Sequence, residues 1–116
     1  DYLCIVSDAL KVSNLPEGVY ELSGQKVEVR EGMAYLPSGT LAGSTFLLPQ
    51  MLYNLRELFS ISLPELAKMA SFIPAQLVGK EKELGSIEKG KIADIVVFDN
   101  HFQVEAVFIN GVMTRG

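Results

Sequence analysis

The sequence predicts an α/β fold that begins with a buried strand of the parallel type and continues through helices into further strands. Residues 3–6 are an unbroken apolar run, typical of a strand covered on both faces, and Asp8 follows at its end. Apolar residues then recur at helical spacing in the middle of the chain, and strand-like runs return after Gly85. A parallel strand needs more neighbours than the later residues supply, so we expect the C-terminal piece of a longer protein.

Composition excludes several classes of function. The 116 residues suffice for one domain, and a hydrophobic content of 48% with 21% charged residues is typical of a folded protein. The net charge of −4 disfavours a nucleic-acid partner, because contacts with phosphates require a protein with an excess of Lys and Arg. No apolar run is long enough to span a bilayer, so we expect no membrane partner. The single cysteine, Cys4, suits a reducing compartment, which favours a cytoplasmic location.

Asp8 has two interpretations from residue types alone. The C-terminal ends of parallel strands carry the reacting groups in barrel enzymes, which makes Asp8 a candidate catalytic carboxylate. An aspartate at such a place also serves as a cap for the next turn or helix. The sequence up to this point leaves both open.

Three short strands are predicted after a polar loop. Val27 and Val29 alternate with Glu28 and Arg30, so we expect one face of the middle strand to be buried and the other to be exposed to solvent. The predicted strands are residues 19–22, 25–30 and 33–36. They form an antiparallel insertion that could help to wall a pocket.

A loop with two glycines, residues 37–44, leads into a helical pattern that runs to about Phe59. Such a loop at a helix N-terminus exposes backbone N–H groups and suits an oxygen-rich ligand. A tight entry into the helix explains the same glycines, because glycine readily takes a positive φ. Ser62 and Glu65 then match a capping box for a helix over residues 63–71, and Pro74 restarts a shorter helix that Gly79 ends.

The last part of the chain predicts strands. A polar turn over residues 85–91 precedes strands at 92–98 and 103–109, and Asn110-Gly111 predicts a hairpin to a strand at 112–114. His101 lies in a predicted turn. As the single histidine it forms no ligand cluster here, and we interpret it as a solvated turn residue.

Three motifs together resemble one enzyme family. They are Ile-Val-Ser-Asp-Ala at residues 5–9, Gly-Thr-Leu-Ala-Gly-Ser at 39–44, and the run from Gly85 to Phe98. Their combination resembles the C-terminal third of the N-acetylglucosamine-6-phosphate deacetylases of the amidohydrolase superfamily, and the middle motif is the most specific. The resemblance implies the C-terminal part of a metal-dependent (β/α)₈ TIM barrel plus part of a small β-sandwich. Residues 1–84 would hold the last barrel strand, the β insertion and the closing helices, and residues 85–116 the C-terminal sandwich strands.

The resemblance also implies a site. Asp8 matches the family's catalytic aspartate, and Leu41, Ala42 and Gly43 match the segment that contacts the amino sugar. The family's metal ligands, a Glu and two His, lie upstream, so no residue here would bind the expected divalent ion, zinc or iron. The implied partners are an amino-sugar phosphate and the missing N-terminal part of the same protein, with a homodimer as the full-length assembly.

The implied reaction is hydrolysis of an N-acetyl amide to acetate and glucosamine 6-phosphate. Asp8 would take a proton from the attacking water and then give it to the departing amine. Because this fragment lacks the metal ligands, we expect it to be inactive alone. Two alternatives stay open: an amidohydrolase acting on a cyclic amide or a deaminase substrate, and a non-catalytic β-rich interaction module.

Overall fold

The computed structural model describes residues 3–116 and forms two compact units. One unit contains the described residues up to Val6 together with Leu52–Gly116, and the other is Ser7–Met51. The boundary between the units therefore falls inside a helix. The predicted division at residue 84 concerns a complete barrel and sandwich, and it stays a prediction.

The unit Ser7–Met51 is built on a four-stranded antiparallel meander. Its strands are β1 (Gly18–Leu22), β2 (Gln25–Arg30), β3 (Met33–Tyr35) and β4 (Leu41–Ser44), paired in that order. The three predicted strands are confirmed within one residue at each end. Val27 and Val29 are buried with Val12 and Ala34, and the intervening residues of β2 are exposed, as their alternation predicts.

The fourth strand corrects the sequence analysis. The sequence predicts residues 41–44 in a loop that opens onto a helix, but they pair with β3, so that Ala34 lies opposite Gly43 and Tyr35 opposite Leu41. This register leaves Ala42 as the extra residue of a β-bulge. The sequence did not indicate this strand, because β4 lacks the β-branched and aromatic residues that are typical of strands. Strand β4 forms because its backbone pairs with β3 across a turn.

The segment after Asp8 continues this unit beside β4. Ala9 and Ser44 form a parallel bridge, and the Leu10 N–H donates to the Ser44 carbonyl at 3.0 Å. Gly43 allows this approach, since a Cβ there would lie 2.9 Å from Leu10 Cγ and 3.1 Å from the Asp8 carbonyl oxygen. A side chain at position 43 would therefore push the two backbones apart.

The helical region follows the sequence closely but not completely. Helix α1 is Leu48–Phe59, and α2 is Leu63–Ala67 with its capping box at Ser62 and Glu65. Hydrogen bonds from the Ser62 hydroxyl and the Ser62 N–H lower the pKa of Glu65. The sequence predicts two separate helices around Pro74, but a π-helical turn at Lys68–Phe72 joins α2 directly to α3, Ile73–Leu77. The wider turn accommodates the proline without a break in the helical backbone.

The chain ends in a three-stranded antiparallel sheet. Its strands are β5 (Ile95–Phe98), β6 (Val104–Ile109) and β7 (Val112–Arg115), in sequence order. Asn110 and Gly111 have φ of 50° and 77°, which confirms the predicted tight hairpin. His101 is exposed in the preceding turn, where its N–H donates to Asp99 Oδ1 at 2.8 Å. Arg56 of α1 contacts the same turn: its Nη2 donates a hydrogen bond to the Asn100 carbonyl at 2.8 Å.

Residues 3–6 have no strand pairing within the described residues, so their place as a barrel strand in the whole protein stays a prediction. Leu3 and Val6 are 62% and 69% exposed, and no strand among residues 3–116 pairs with this segment. An apolar run becomes a strand only where neighbouring strands accept its backbone bonds. Within the part of the chain described, no helix has the length and apolar character that crossing a bilayer requires.

A polar loop at Gly85–Lys91 packs against the π turn. A Cβ on Gly85 would lie 2.8 Å from Ala75 Cβ and 2.9 Å from the Ser71 carbonyl oxygen, so only glycine fits. The Lys91 side chain is only 10% exposed; its ammonium lies 5.8 Å from the centre of the Phe72 ring and donates to the Glu81 carbonyl and to Ser86 Oγ. Hydrogen bonds from Ser86 and then Lys91 lower the pKa of Glu88.

Replacing Gly43 by alanine should weaken the contact between β4 and the Asp8 segment. We expect Gly43→Ala to lower the free energy of unfolding by about 1–3 kcal/mol through overpacking, and to accelerate hydrogen exchange of the Ser44 amide. Gly39→Ala is the control for the exchange measurement only: its φ of +83° adds backbone strain of about 1–2 kcal/mol, but a Cβ there meets no atom within 4 Å and should leave exchange of the Ser44 amide unchanged. Equal exchange of the Ser44 amide in both variants would contradict the close approach.

Gly85 should be far less tolerant of substitution than Gly90. Both have positive φ, +87° and +96°, but a Cβ at Gly90 has open space around it. Chemical denaturation should show a loss of about 1–2 kcal/mol for Gly90→Ala from backbone strain alone. Gly85→Ala adds the steric overlap, for a loss of about 2–5 kcal/mol. Similar losses in the two variants would show that the loop does not pack as described.

Candidate functional site

Asp8 lies in an exposed segment without regular secondary structure, at the start of the unit Ser7–Met51. Its φ is 46°, a left-handed conformation that aspartate and asparagine tolerate better than most residues. Asp8 is exposed, and no group among residues 3–116 hydrogen-bonds to its carboxylate. The carboxylate is therefore free to meet a ligand, although its backbone is firmly held.

Ser44 holds the Asp8 backbone. The Ser44 N–H donates to the Asp8 carbonyl at 2.9 Å, and the Ser44 carbonyl accepts from the Leu10 N–H at 3.0 Å and from Ser13 Oγ at 3.3 Å. The Ser44 hydroxyl is engaged with the Phe46 backbone, accepting from its N–H at 3.0 Å. Three bonds at Ser44 thus hold the backbone of the segment that carries the candidate catalytic carboxylate.

The three candidate substrate-contacting residues have different environments. Leu41 is 58% exposed, Ala42 is half-buried with its side chain packed against the sheet core, and Gly43 is buried against Leu10 and Asp8. A direct side-chain contact with a ligand is thus available to Leu41. Ala42 and Gly43 can contribute through their backbone.

The structure brings two of the three sequence motifs together. The segment at Asp8 and the Gly-Thr-Leu-Ala-Gly-Ser motif meet through the Ala9–Ser44 bridge and the bonds of Ser44. Sequence reasoning missed Ser13 and the role of Ser44. Ser44 stood inside a noticed motif, but nothing in the sequence marks Ser13, because its partner lies 31 residues away.

No metal centre is formed by the described residues. Among residues 3–116 there is no group of three or more His, Cys, Asp or Glu side chains placed to hold an ion. A catalytic divalent ion usually takes three protein ligands, so these residues alone do not fit one. Cys4 is a free, half-buried thiol.

An open cavity of about 300 Å³ lies at one end of the meander, apart from the candidate residues. It is lined by Gln25, Lys26, Leu36, Pro37 and Ser38. None of the predicted site residues contributes to it. The role of the β insertion in walling an active-site pocket stays a prediction.

The curated proteins that this chain resembles include deacetylases of phosphorylated N-acetyl amino sugars. The chain is 34% identical over 113 residues to an N-acetylglucosamine-6-phosphate deacetylase of Haemophilus influenzae, covering 96% of this chain but only 30% of that relative. It is equally 34% identical over 109 residues to a putative N-acetylgalactosamine-6-phosphate deacetylase of Escherichia coli K12, covering 94% of this chain and 65% of the relative. The chain thus spans only part of the length of the curated relatives that it matches.

A solved structure shares the fold. The crystal structure of N-acetylglucosamine-6-phosphate deacetylase from Pasteurella multocida is similar with a TM-score of 0.90 and 34% identity, covering 98% of this chain and 30% of that one. A model of the amidohydrolase family matches residues 19–114, which is most of the sequence. On this match, the chain belongs to the amidohydrolase family.

Proposed function

We propose that this chain is the C-terminal part of a deacetylase that hydrolyses N-acetylglucosamine 6-phosphate to glucosamine 6-phosphate and acetate. The observation that carries the proposal is the junction at Ser44, where the backbone of Asp8 is bonded beside the Leu41–Ser44 strand and its carboxylate is exposed. The names of the relatives support the substrate class, since one is named as a deacetylase of a phosphorylated N-acetyl amino sugar and the other as a putative one.

Asp8 is the proton carrier in this proposal. Its carboxylate takes the proton from the water that attacks the N-acetyl carbonyl, and the new C–O bond forms as the carbonyl π electrons move to oxygen. The same carboxyl group then protonates the amine nitrogen as the C–N bond breaks, because an amine leaves poorly without a proton. The backbone bonds of Ser44 hold the main chain that carries this carboxyl group.

The bulge in β4 suits contact with a sugar. Bulges leave the extra residue out of the ladder and occur next to active sites, and here the extra residue is Ala42. Its peptide groups can hydrogen-bond to sugar hydroxyls, and the exposed Leu41 side chain can cover an apolar face of the ring. Leu41, Ala42 and Gly43 are therefore proposed as the substrate-contacting segment.

The amidohydrolase family is metal-dependent, so the proposal includes a divalent ion, zinc or iron, held by residues upstream of this chain. When bound, such an ion would supply Lewis acidity for hydrolysis of the amide. The contribution of the present chain would be Asp8, as the acceptor of the proton of the attacking water.

The remaining features of the proposal concern the whole protein. They are a (β/α)₈ barrel with residues 3–6 as its last strand, a β-sandwich that includes residues 85–116, a homodimer and a cytoplasmic location. The similarity of nearly the whole chain to the Pasteurella enzyme supports the barrel and sandwich assignments. In a barrel, neighbouring strands would pair with the backbone of residues 3–6, and the barrel interior and the outer helices would cover the exposed Leu3 and Val6 side chains.

A second substrate is N-acetylgalactosamine 6-phosphate, which differs only in the orientation of one hydroxyl. It is favoured by the identity of 34% to the Escherichia coli relative, equal to that of the Haemophilus one. Measuring kcat/KM for the two sugars with the whole protein decides between them.

Removing the charge of Asp8 should abolish most of the activity. We expect Asp8→Asn to lower kcat for acetate release by about 10²–10⁴-fold, because proton transfer is lost while the left-handed turn is still tolerated. Chelation of the metal should also stop acetate release from the wild type, and added Zn²⁺ or Fe²⁺ should restore it. Acetate release is measured in the whole protein.

Glu31→Gln is the matched control, since Glu31 is another exposed carboxylate with positive φ in the same unit. It should keep wild-type activity. No acetate release from folded, metal-loaded wild-type protein would contradict the substrate assignment and favour a cyclic amide or deaminase substrate. Full activity of Asp8→Asn would contradict the role of Asp8, and a folded protein without any hydrolytic activity would favour the interaction module.

A further inference from the structure

The solvent-facing side of the meander carries a tyrosine directly across from the proposed substrate-contacting segment. Tyr35 of β3 pairs with Leu41 of β4. Because Ala34, its neighbour in β3, is fully buried, the alternation of side chains along a strand places Tyr35 on the solvent-facing side. Tyr35 is half-buried and Leu41 is 58% exposed, so the ring and the leucine side chain offer one accessible apolar surface.

Arg30 flanks the same tyrosine from the other neighbouring strand. Its guanidinium carbon lies 4.6 Å from the centre of the Tyr35 ring, and the Tyr35 hydroxyl donates to Met33 Sδ at 3.4 Å. No carboxylate among residues 3–116 pairs with Arg30. The stacked guanidinium therefore holds the ring and keeps N–H donors available for a ligand. We call Arg30, Tyr35 and Leu41 the aromatic patch.

The aromatic patch lies in line with the segment that contains Asp8. The strands β2, β3 and β4 carry its three residues in that order, and the Asp8 segment runs along the outer edge of β4. Ser44, which bonds the Asp8 backbone, is three residues from Leu41, or roughly 10 Å along a strand. A phosphorylated N-acetylhexosamine is of comparable length, so one molecule can reach both the patch and Asp8.

An aromatic ring beside a guanidinium suits a sugar ligand. One face of a pyranose ring presents C–H groups that pack on aromatic side chains, and its hydroxyls accept hydrogen bonds at the rim. We propose that Tyr35 is a further substrate-contacting residue, an inference that rests on the proposed function. Its ring, held by Arg30, packs together with Leu41 on the pyranose ring of the amino-sugar phosphate. The substrate-contacting surface thereby extends from β4 onto β3.

The test uses variants of Tyr35 in the whole, metal-loaded protein. Tyr35→Val removes the ring and keeps a side chain that favours strands, and Tyr35→Phe keeps the ring without the hydroxyl. Val19→Ala is the matched control, since Val19 is 67% exposed on the same side of the sheet but lies on β1, away from Leu41. The readouts are kcat and KM for acetate release from N-acetylglucosamine 6-phosphate.

We expect Tyr35→Val to raise KM about five- to thirtyfold with little change in kcat. A contact away from the bond that breaks stabilises the bound substrate and the transition state alike, so its loss appears in KM. Tyr35→Phe and Val19→Ala should keep the wild-type KM. An unchanged KM in Tyr35→Val, or an equal rise in either of the other two variants, would overturn the inference.

Footprinting of the wild type keeps the inference testable if Tyr35→Val does not fold. Hydroxyl radicals should oxidise the Tyr35 ring in the free whole protein, and saturating glucosamine 6-phosphate should protect it. Tyr20 is the internal control, because it is half-buried in the same unit but packs against the sheet core. A Tyr35 ring that does not react without ligand, or that reacts equally with and without it, would overturn the inference.

Binding separates this inference from the proposed function. If the wild type releases no acetate, the proposed function fails. Calorimetric titration with N-acetylglucosamine 6-phosphate should then still show weaker binding by Tyr35→Val than by Tyr35→Phe. Equal affinities in the two variants, or no binding by the wild type, would overturn the inference as well.

Discussion

The candidate site depends on a pair of backbone hydrogen bonds at Ser44. One joins its N–H to the Asp8 carbonyl and the other joins its carbonyl to the Leu10 N–H. These bonds require the two backbones to approach closely, which Gly43 permits because it has no side chain to meet Leu10. The antiparallel meander in turn holds Gly43 opposite the fully buried Ala34. The sheet therefore matters to the site chiefly as the support of one glycine and one serine.

The parts of the fold set by local pattern could be predicted from the sequence. Alternation of Val27 and Val29 with charged residues predicts β2, helical spacing predicts α1, and Asn110-Gly111 predicts the last hairpin. What could not be predicted depends on partners far along the chain. Strand β4 exists because β3 pairs with it, despite a glycine-rich sequence with weak strand propensity. Residues 3–6 show the converse, an apolar run without strand partners among the described residues.

The same distinction applies to the site. Asp8 and the Leu41–Gly43 segment were found through motif resemblance, and the structure joins them at Ser44. Ser13 carries no sequence signal, since it acts through a bond to a residue 31 positions away. Tyr35 belongs to a strand that the sequence predicts, but only its pairing with Leu41 and the stacking of Arg30 single it out.

The most direct test is a crystal structure of the whole protein, as the Asp8→Asn variant, with N-acetylglucosamine 6-phosphate bound. The substitution slows turnover and keeps the shape of the side chain. We expect the substituted side chain at position 8 to lie within about 3 Å of the N-acetyl amide or of the water facing it, and the backbone of Leu41–Gly43 to lie against the sugar. A sugar bound with its amide far from position 8, or not touching this strand, would contradict the account.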